Sequence, residues 1–177
     1  DHPYPAALDD CLAVYAELVE RRGAENIVVG GSSAGGNLAA ALMLRARDAG
    51  LPMPAGLVLQ TPEVDLTESG DSFETLLGLD PVLKSRLTES IALYASGHAL
   101  DDPYLSPLFG DLAGFPPTLL QTGTRDLFLS NTVRMHRALR DAGVPAELHV
   151  FEAMPHGSFM GAPEDAGLHR EIAGFVA

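Results

Sequence analysis

Four short apolar runs, each set between stretches with helical spacing, constrain the fold more than any other feature of this 177-residue chain. They are "NIVVG" (Asn26 to Gly30), "AGLVLQT" (Ala55 to Thr61), "PTLLQTG" (Pro117 to Gly123) and "AELHVFE" (Ala146 to Glu152). Runs of this length with apolar residues on both sides suit strands covered on both faces. Between them lie helical patterns. Leu8, Cys11, Leu12, Tyr15 and Val19 mark one from Pro5 to Arg22, stopped by Gly23. A second runs from Gly35 to Ala49. A third is expected to start at Asp80-Pro81 and reach about Ser96, with Asp as cap and Pro in the first turn. Ser130 is the expected cap of a fourth, and Leu168, Ile172, Phe175 and Val176 mark the last. The expectation is one α/β domain over residues 1–177, with about four parallel strands and helices on both faces. Glu63 to Phe115 forms an irregular segment rich in Gly, Pro and Asp.

The stretch "GGSSAGGNLA", Gly30 to Ala39, falls where the first strand becomes a helix. A phosphate-binding loop would need Gly-Lys-Ser/Thr after four residues, and no lysine is present. A dinucleotide fingerprint needs G-x-G-x-x-G, which this spacing does not supply. The stretch does fit G-x-S-x-G, with Gly31, Ser33 and Gly35 at the defining positions. In such a turn the serine is held on a strained backbone, and side chains at the flanking glycines would crowd it. The following Ala34 N–H, at the helix N-terminus, faces the position of a developing oxyanion.

A serine hydroxyl needs a base, and the base needs an orienting carboxylate. Asp126 follows the third strand in "QTGTRDLFLS", and His156 follows the fourth in "FEAMPHGSF". Ser33, Asp126 and His156 therefore all fall at C-terminal ends of parallel strands, where open α/β sheets place their sites. Asp111 and Asp165 do not directly follow a strand. His2 is terminal, His98 lies in the irregular segment, His136 and His169 fall on helices, and His149 lies within a strand. Ser32 reads as a backbone-bonding neighbour, and Met154 and Phe159 as packing residues.

Charge narrows the partners. The formal net charge is −13, with no Lys/Arg cluster, so a nucleic-acid partner or an anionic membrane surface is not expected. No apolar run approaches the ~20 residues of a membrane span. The single cysteine, Cys11, rules out an internal disulfide and fits a reducing, cytoplasmic setting. No metal or other cofactor is expected, because the serine chemistry needs none.

Taken together, "GGSSAGGNLA", "DDPYLSPLFG", "LQTGTRDLFLSNTVRMHRALRDAGVPAELHVFEAMPHGS" and "HPYPAALDD" resemble the hormone-sensitive-lipase-like branch of the α/β-hydrolases over essentially the whole chain. The resemblance implies a partial α/β-hydrolase fold acting on carboxylic esters or lactones through an acyl-enzyme. It implies Ser33 as nucleophile, His156 as base, Asp126 as orienter and Ala34 N–H as an oxyanion donor. Gly31, Gly35 and Gly36 would be the substrate-side glycines of the elbow, and residues 63–115 would carry substrate-lining positions. Family members bear a His-Gly-Gly-Gly-type oxyanion loop upstream of the elbow, and the 177 residues contain no such motif. Two expectations follow. The chain is the C-terminal portion of a longer small-ester hydrolase, or it is a catalytically impaired form that pairs as a homodimer across the exposed edge of "NIVVG".

Overall fold

The computed structural model describes residues 2–177. Four strands, β1 (Val28–Ser32), β2 (Gly56–Gln60), β3 (Thr118–Gly123) and β4 (Ala146–Phe151), form one parallel sheet in the order β1-β2-β3-β4. Six helices accompany them among the described residues: α1 (Ala6–Arg22), α2 (Ala34–Asp48), the single-turn α3 (Ser72–Thr75), α4 (Thr88–Ala95), α5 (Leu129–Asp141) and α6 (Asp165–Val176).

Alternation along the central strands separates two layers. Leu57, Leu59 and Leu120 face a core shared with Leu8 and Tyr15 of α1, Met43 and Leu44 of α2, and Met135 and Leu139 of α5. The opposite side carries α6, where the Gln121 amide donates to the Leu168 carbonyl at 3.0 Å. There Gly56 has no room for a Cβ, which would come 2.9 Å from the Phe175 ring. Helices thus cover both faces, as the strand pattern implies. α2 reaches the sheet closely because Ala39, Ala40, Ala41 and Ala46 are its buried residues alongside the larger Leu42, Met43 and Leu44.

Three local expectations are corrected. The first strand begins two residues later than "NIVVG" suggests and continues to Ser32. Ala24–Asn26 instead form a tight 3₁₀ turn, whose Ala24 carbonyl accepts from the N–H groups of Ile27 and Ala55. The exposed positions of the β1 edge are therefore Val28, Gly30 and Ser32, a less apolar edge than expected. No helix starts at Asp80. One Asp80 oxygen accepts the Val82 N–H at 2.8 Å, and the other is drawn away to the Leu127 N–H at 2.9 Å. α4 begins only where Glu68 accepts the Leu87 N–H at 2.7 Å. Ser130 does not cap α5 either. It lies inside the helix, and its hydroxyl accepts the Ser72 N–H at 2.9 Å, tying α5 to α3.

The loops leaving β3 and β4 are laced together. Thr124 N–H donates to Phe151 O at 3.0 Å, Arg125 N–H to Met154 O at 3.1 Å, and Ala153 N–H to the Thr124 hydroxyl at 2.8 Å. Gly123 permits this, because a Cβ there would lie closer than 3 Å to the Met154 carbonyl. Gly123→Ala is therefore expected to cost about 2–3 kcal/mol by overpacking, lowering the Tm by roughly 5–10 °C for a chain of this size. A thermal melt of the variant beside the parent chain checks this.

Candidate active site

β1 ends in a turn that leaves Ser33 at φ 58°, ψ −124°. A serine at positive φ costs of order 1–3 kcal/mol and persists only where its surroundings over-determine it. Here they do. Ser33 N–H donates to Gln60 O at 3.0 Å, and Ser33 O accepts from Gly36, Asn37 and Glu63 N–H at 2.9, 3.1 and 3.2 Å. The turn also needs bare backbone. A Cβ on Gly31 would collide with the Gly35 carbonyl, and one on Gly36 would come 2.8 Å from Pro62. Gly35 differs from the expectation of crowding: outside its own helix, a Cβ there meets nothing within 4 Å. The tight partner of Gly31 is the Gly35 backbone, not a missing Gly35 side chain.

The three residues singled out by strand position converge. His156 Nε2 lies 2.8 Å from Ser33 Oγ, and His156 Nδ1 lies 2.9 Å from Asp126 Oδ1. Asp126 is fully buried and its carboxylate is held from three sides. Oδ1 also accepts the Phe128 N–H at 2.9 Å, and Oδ2 accepts the Thr122 hydroxyl at 2.7 Å. An acceptor-only carboxylate at Nδ1 selects the Nδ1–H tautomer, so the bare Nε2 faces the serine. The Phe128 ring packs edge-on against the imidazole, with centroids 4.7 Å apart. Ala34 opens α2 directly after Ser33, and among the described residues its N–H has no protein acceptor. Ser32 ends β1. Met154 is buried two residues before His156, and Asp165 ties down the loop after it, accepting from Phe159 and Gly161 N–H at 2.7 Å each.

Sequence reasoning missed Asp80. It is buried, accepts the N–H of Leu127 beside Asp126, and lies 3.5 Å from the N–H of His156. Its position before a proline signals a turn but gives no hint of this long-range clip between the two loops. Residues 63–68 fall in the segment expected to be irregular and substrate-lining, and they hold three buried acids that the sequence does not single out, Glu63, Asp65 and Glu68. Burial drives the Asp65 carboxyl upward, but hydrogen bonds from Thr67, Ser69 and Arg134 outweigh it and leave it below its ordinary range. Glu68 is bonded to Leu87 N–H and faces Arg86. Glu63 has no such partners. Burial, reinforced by the nearby Glu68 charge and opposed by His156, pushes its carboxyl up to about 7.

With this geometry in view, comparison with known proteins is informative. A model of the α/β hydrolase fold family matches residues 1–160. The chain belongs to the α/β-hydrolases. Within them it sits in the hormone-sensitive-lipase-like esterase branch. It is 35% identical over 164 residues to an esterase of Acinetobacter venetianus, covering 87% of this chain and 52% of that protein. An acetyl-hydrolase of Streptomyces hygroscopicus is 33% identical, with 88% and 53% covered. The crystal structure of esterase E25 superimposes with a TM-score of 0.95 at 44% identity, covering 99% of this chain and 55% of that one. A crystal structure of an esterase from the bacterial hormone-sensitive lipase family gives 0.93 at 36% identity, with 98% and 60% covered. The chain thus spans about half the length of the curated relatives it matches. Among the described residues no helix is long and apolar enough to cross a membrane.

The raised Glu63 carboxyl has a consequence for stability. A group whose proton is held more tightly in the folded chain stabilises it fully below its usual value of 4.5 and loses that contribution as pH rises through about 7. Glu63→Gln is expected to gain stability over the parent between pH 5 and pH 8, by up to about 3 kcal/mol. Denaturant melts of both chains at the two pH values measure the difference.

Proposed function

We propose that this chain carries the triad of a serine hydrolase of carboxylic esters, short-chain esters or lactones, with Ser33 as nucleophile. The observation that carries the reading is the unbroken chain of contacts from Ser33 Oγ through His156 to Asp126, 2.8 and 2.9 Å long. Its placement on a strained strand-to-helix turn and the esterase names of the relatives support it.

In this reading Ser33 Oγ attacks the ester carbonyl while His156 Nε2 takes its proton. Asp126 holds the imidazole in the right tautomer and stabilises the imidazolium. Ala34 N–H donates to the oxyanion as the tetrahedral intermediate forms. The imidazolium then passes the proton to the departing alcohol oxygen, leaving an acyl group on Ser33. Water attacks that acyl group with His156 again as base, the bond to Ser33 Oγ breaks as the imidazolium returns the proton to Oγ, and the carboxylic acid leaves. Gly31 and Gly36 contribute by letting the backbone close tightly around the nucleophile, and Gly35 by presenting an open surface toward substrate. No residue in this scheme calls for a metal or an organic cofactor.

A second reading is favoured by a different observation. β1 is an edge strand, and an apolar groove of about 350 Å³ lies along it, lined by Cys11, Val14, Leu18, Ile27 and Val28 among others. An uncovered strand edge beside apolar surface invites pairing with another chain. In that reading the domain associates with a second copy, and hydrolysis is impaired.

Hydrolysis of a p-nitrophenyl acetate solution separates the two. The first reading expects turnover that depends on Ser33. Ser33→Ala should abolish it, and Asp126→Asn should lower it by about 10³-fold or more, while circular dichroism stays unchanged. Turnover that survives in Ser33→Ala rejects the triad. An inert parent eluting from size exclusion as a dimer supports the second reading.

A further inference from the structure

A cavity of about 260 Å³ opens at Ala34, next to the Ser33 turn, and is lined by Ala34, Asn37, Leu38, Glu63, Leu66 and Tyr94. Its walls are mostly apolar, yet three buried polar atoms on its lining residues have no partner: Glu63 Oε1, the Tyr94 hydroxyl and Asn37 Oδ1. Buried polar atoms are ordinarily paired, and each unpaired one costs about as much as a lost hydrogen bond. Glu63 is only 7% exposed. Its backbone is locked in place, since its N–H donates to Ser33 O at 3.2 Å and its carbonyl accepts the Asn37 amide at 2.7 Å. The contrast with its neighbours is sharp. Asp65 is bonded to Thr67, Ser69 and Arg134, and Glu68 to Leu87 and Arg86. The nearby guanidinium groups are thus engaged by these two acids and by Glu74. Glu63 is the one acid of the three that no protein group satisfies.

We propose that Glu63, with Tyr94 and Asn37 beside it, forms a polar subsite that selects esters bearing a hydroxyl group on the substituent entering this cavity. Above about pH 7 the Glu63 carboxyl is ionised and only accepts, the amide oxygen accepts, and a phenol can do either, so the set is short of donors. A hydroxyl on an alkyl stem supplies one, while the stem packs on Leu38 and Leu66. An alkyl chain without the hydroxyl leaves the same atoms unpaired, and a carboxylate brings a second acceptor where none is wanted. The inference rests on the hydrolase reading for the kind of molecule that enters, and on the cavity for what that molecule carries.

Binding measured on the Ser33→Ala chain keeps the test independent of turnover. NMR titrations at pH 8, where the Glu63 carboxyl is ionised, would compare n-butyl acetate with its ω-hydroxy analogue, and methyl pentanoate with its ω-hydroxy analogue. The two pairs place the hydroxyl on the alcohol or the acyl side. The hydroxylated member of at least one pair is expected to bind about tenfold tighter or more, the worth of a hydrogen bond to a charged group. Adding Glu63→Leu should erase the preference, and adding Glu63→Gln, which still hydrogen-bonds, should keep it. Equal affinities within both pairs, no saturable binding of any of the four esters, or a preference that survives Glu63→Leu would each overturn the proposal. A hydroxyl preference without Ser33-dependent turnover in the parent chain would retain the subsite and reject the hydrolase reading. Turnover without the preference would do the reverse.

Discussion

Ser33 stands at φ 58° between a strand and a helix, and four backbone hydrogen bonds converge on it. They come from or reach β2, the first turn of α2 and the segment beginning at Glu63. That convergence makes the turn affordable and couples three elements to one residue. The strain is held by the sheet, because the Gln60 carbonyl that receives Ser33 N–H is itself the last residue of β2. The bare backbone of Gly31 and Gly36 is the steric condition for the same arrangement. A hydroxyl raised above the sheet edge is the outcome, and every functional statement about the chain depends on it.

A second coupling brings the partners of that hydroxyl within reach. Asp126 and His156 lie 30 residues apart on different loops, yet their side chains bond directly. Parallel pairing of β3 and β4 carries the two loops to the same end of the sheet, with Gly123 opposite Phe151 in register. Backbone bonds around Met154 and the buried Asp80 then hold the loops together. The imidazole is packed against Phe128 and orientated by a carboxylate that two further donors hold still. Preorganisation of this kind means that little rearrangement is left for a reacting system to drive.

The buried acids of residues 63–68 divide by what surrounds them. Asp65 and Glu68 are structural, since hydrogen bonds and guanidinium groups offset their desolvation. Glu63 lies as close in sequence but borders the cavity beside Ser33, and no hydrogen bond offsets its desolvation there. Residue type and sequence position do not separate these three carboxyls; their partners do.

Much of the molecule was legible before its structure was described. Short apolar runs between helical patterns specify a covered parallel sheet, since only that arrangement buries both sides of each strand. The glycine spacing around Ser33 and the placement of Asp126 and His156 after later strands single out three residues, because strand ends of a parallel sheet meet at one edge, and the fold brings those three side chains into contact. Some local signals were outcompeted. Asp80 and Ser130 read as helix caps, but their oxygens bond Leu127 and Ser72, which lie far away in sequence. The first strand slid by two residues because the Ala24 turn took up the start of the apolar run. Sequence alone determined the class of sheet and the cast of the site, both set by local patterns that repeat at fixed spacing. Tertiary structure alone decided which polar groups find partners across the fold, and so left Glu63 unpaired in a cavity. Pairing between distant segments depends on how the sheet stacks its loops, and no local spacing encodes that.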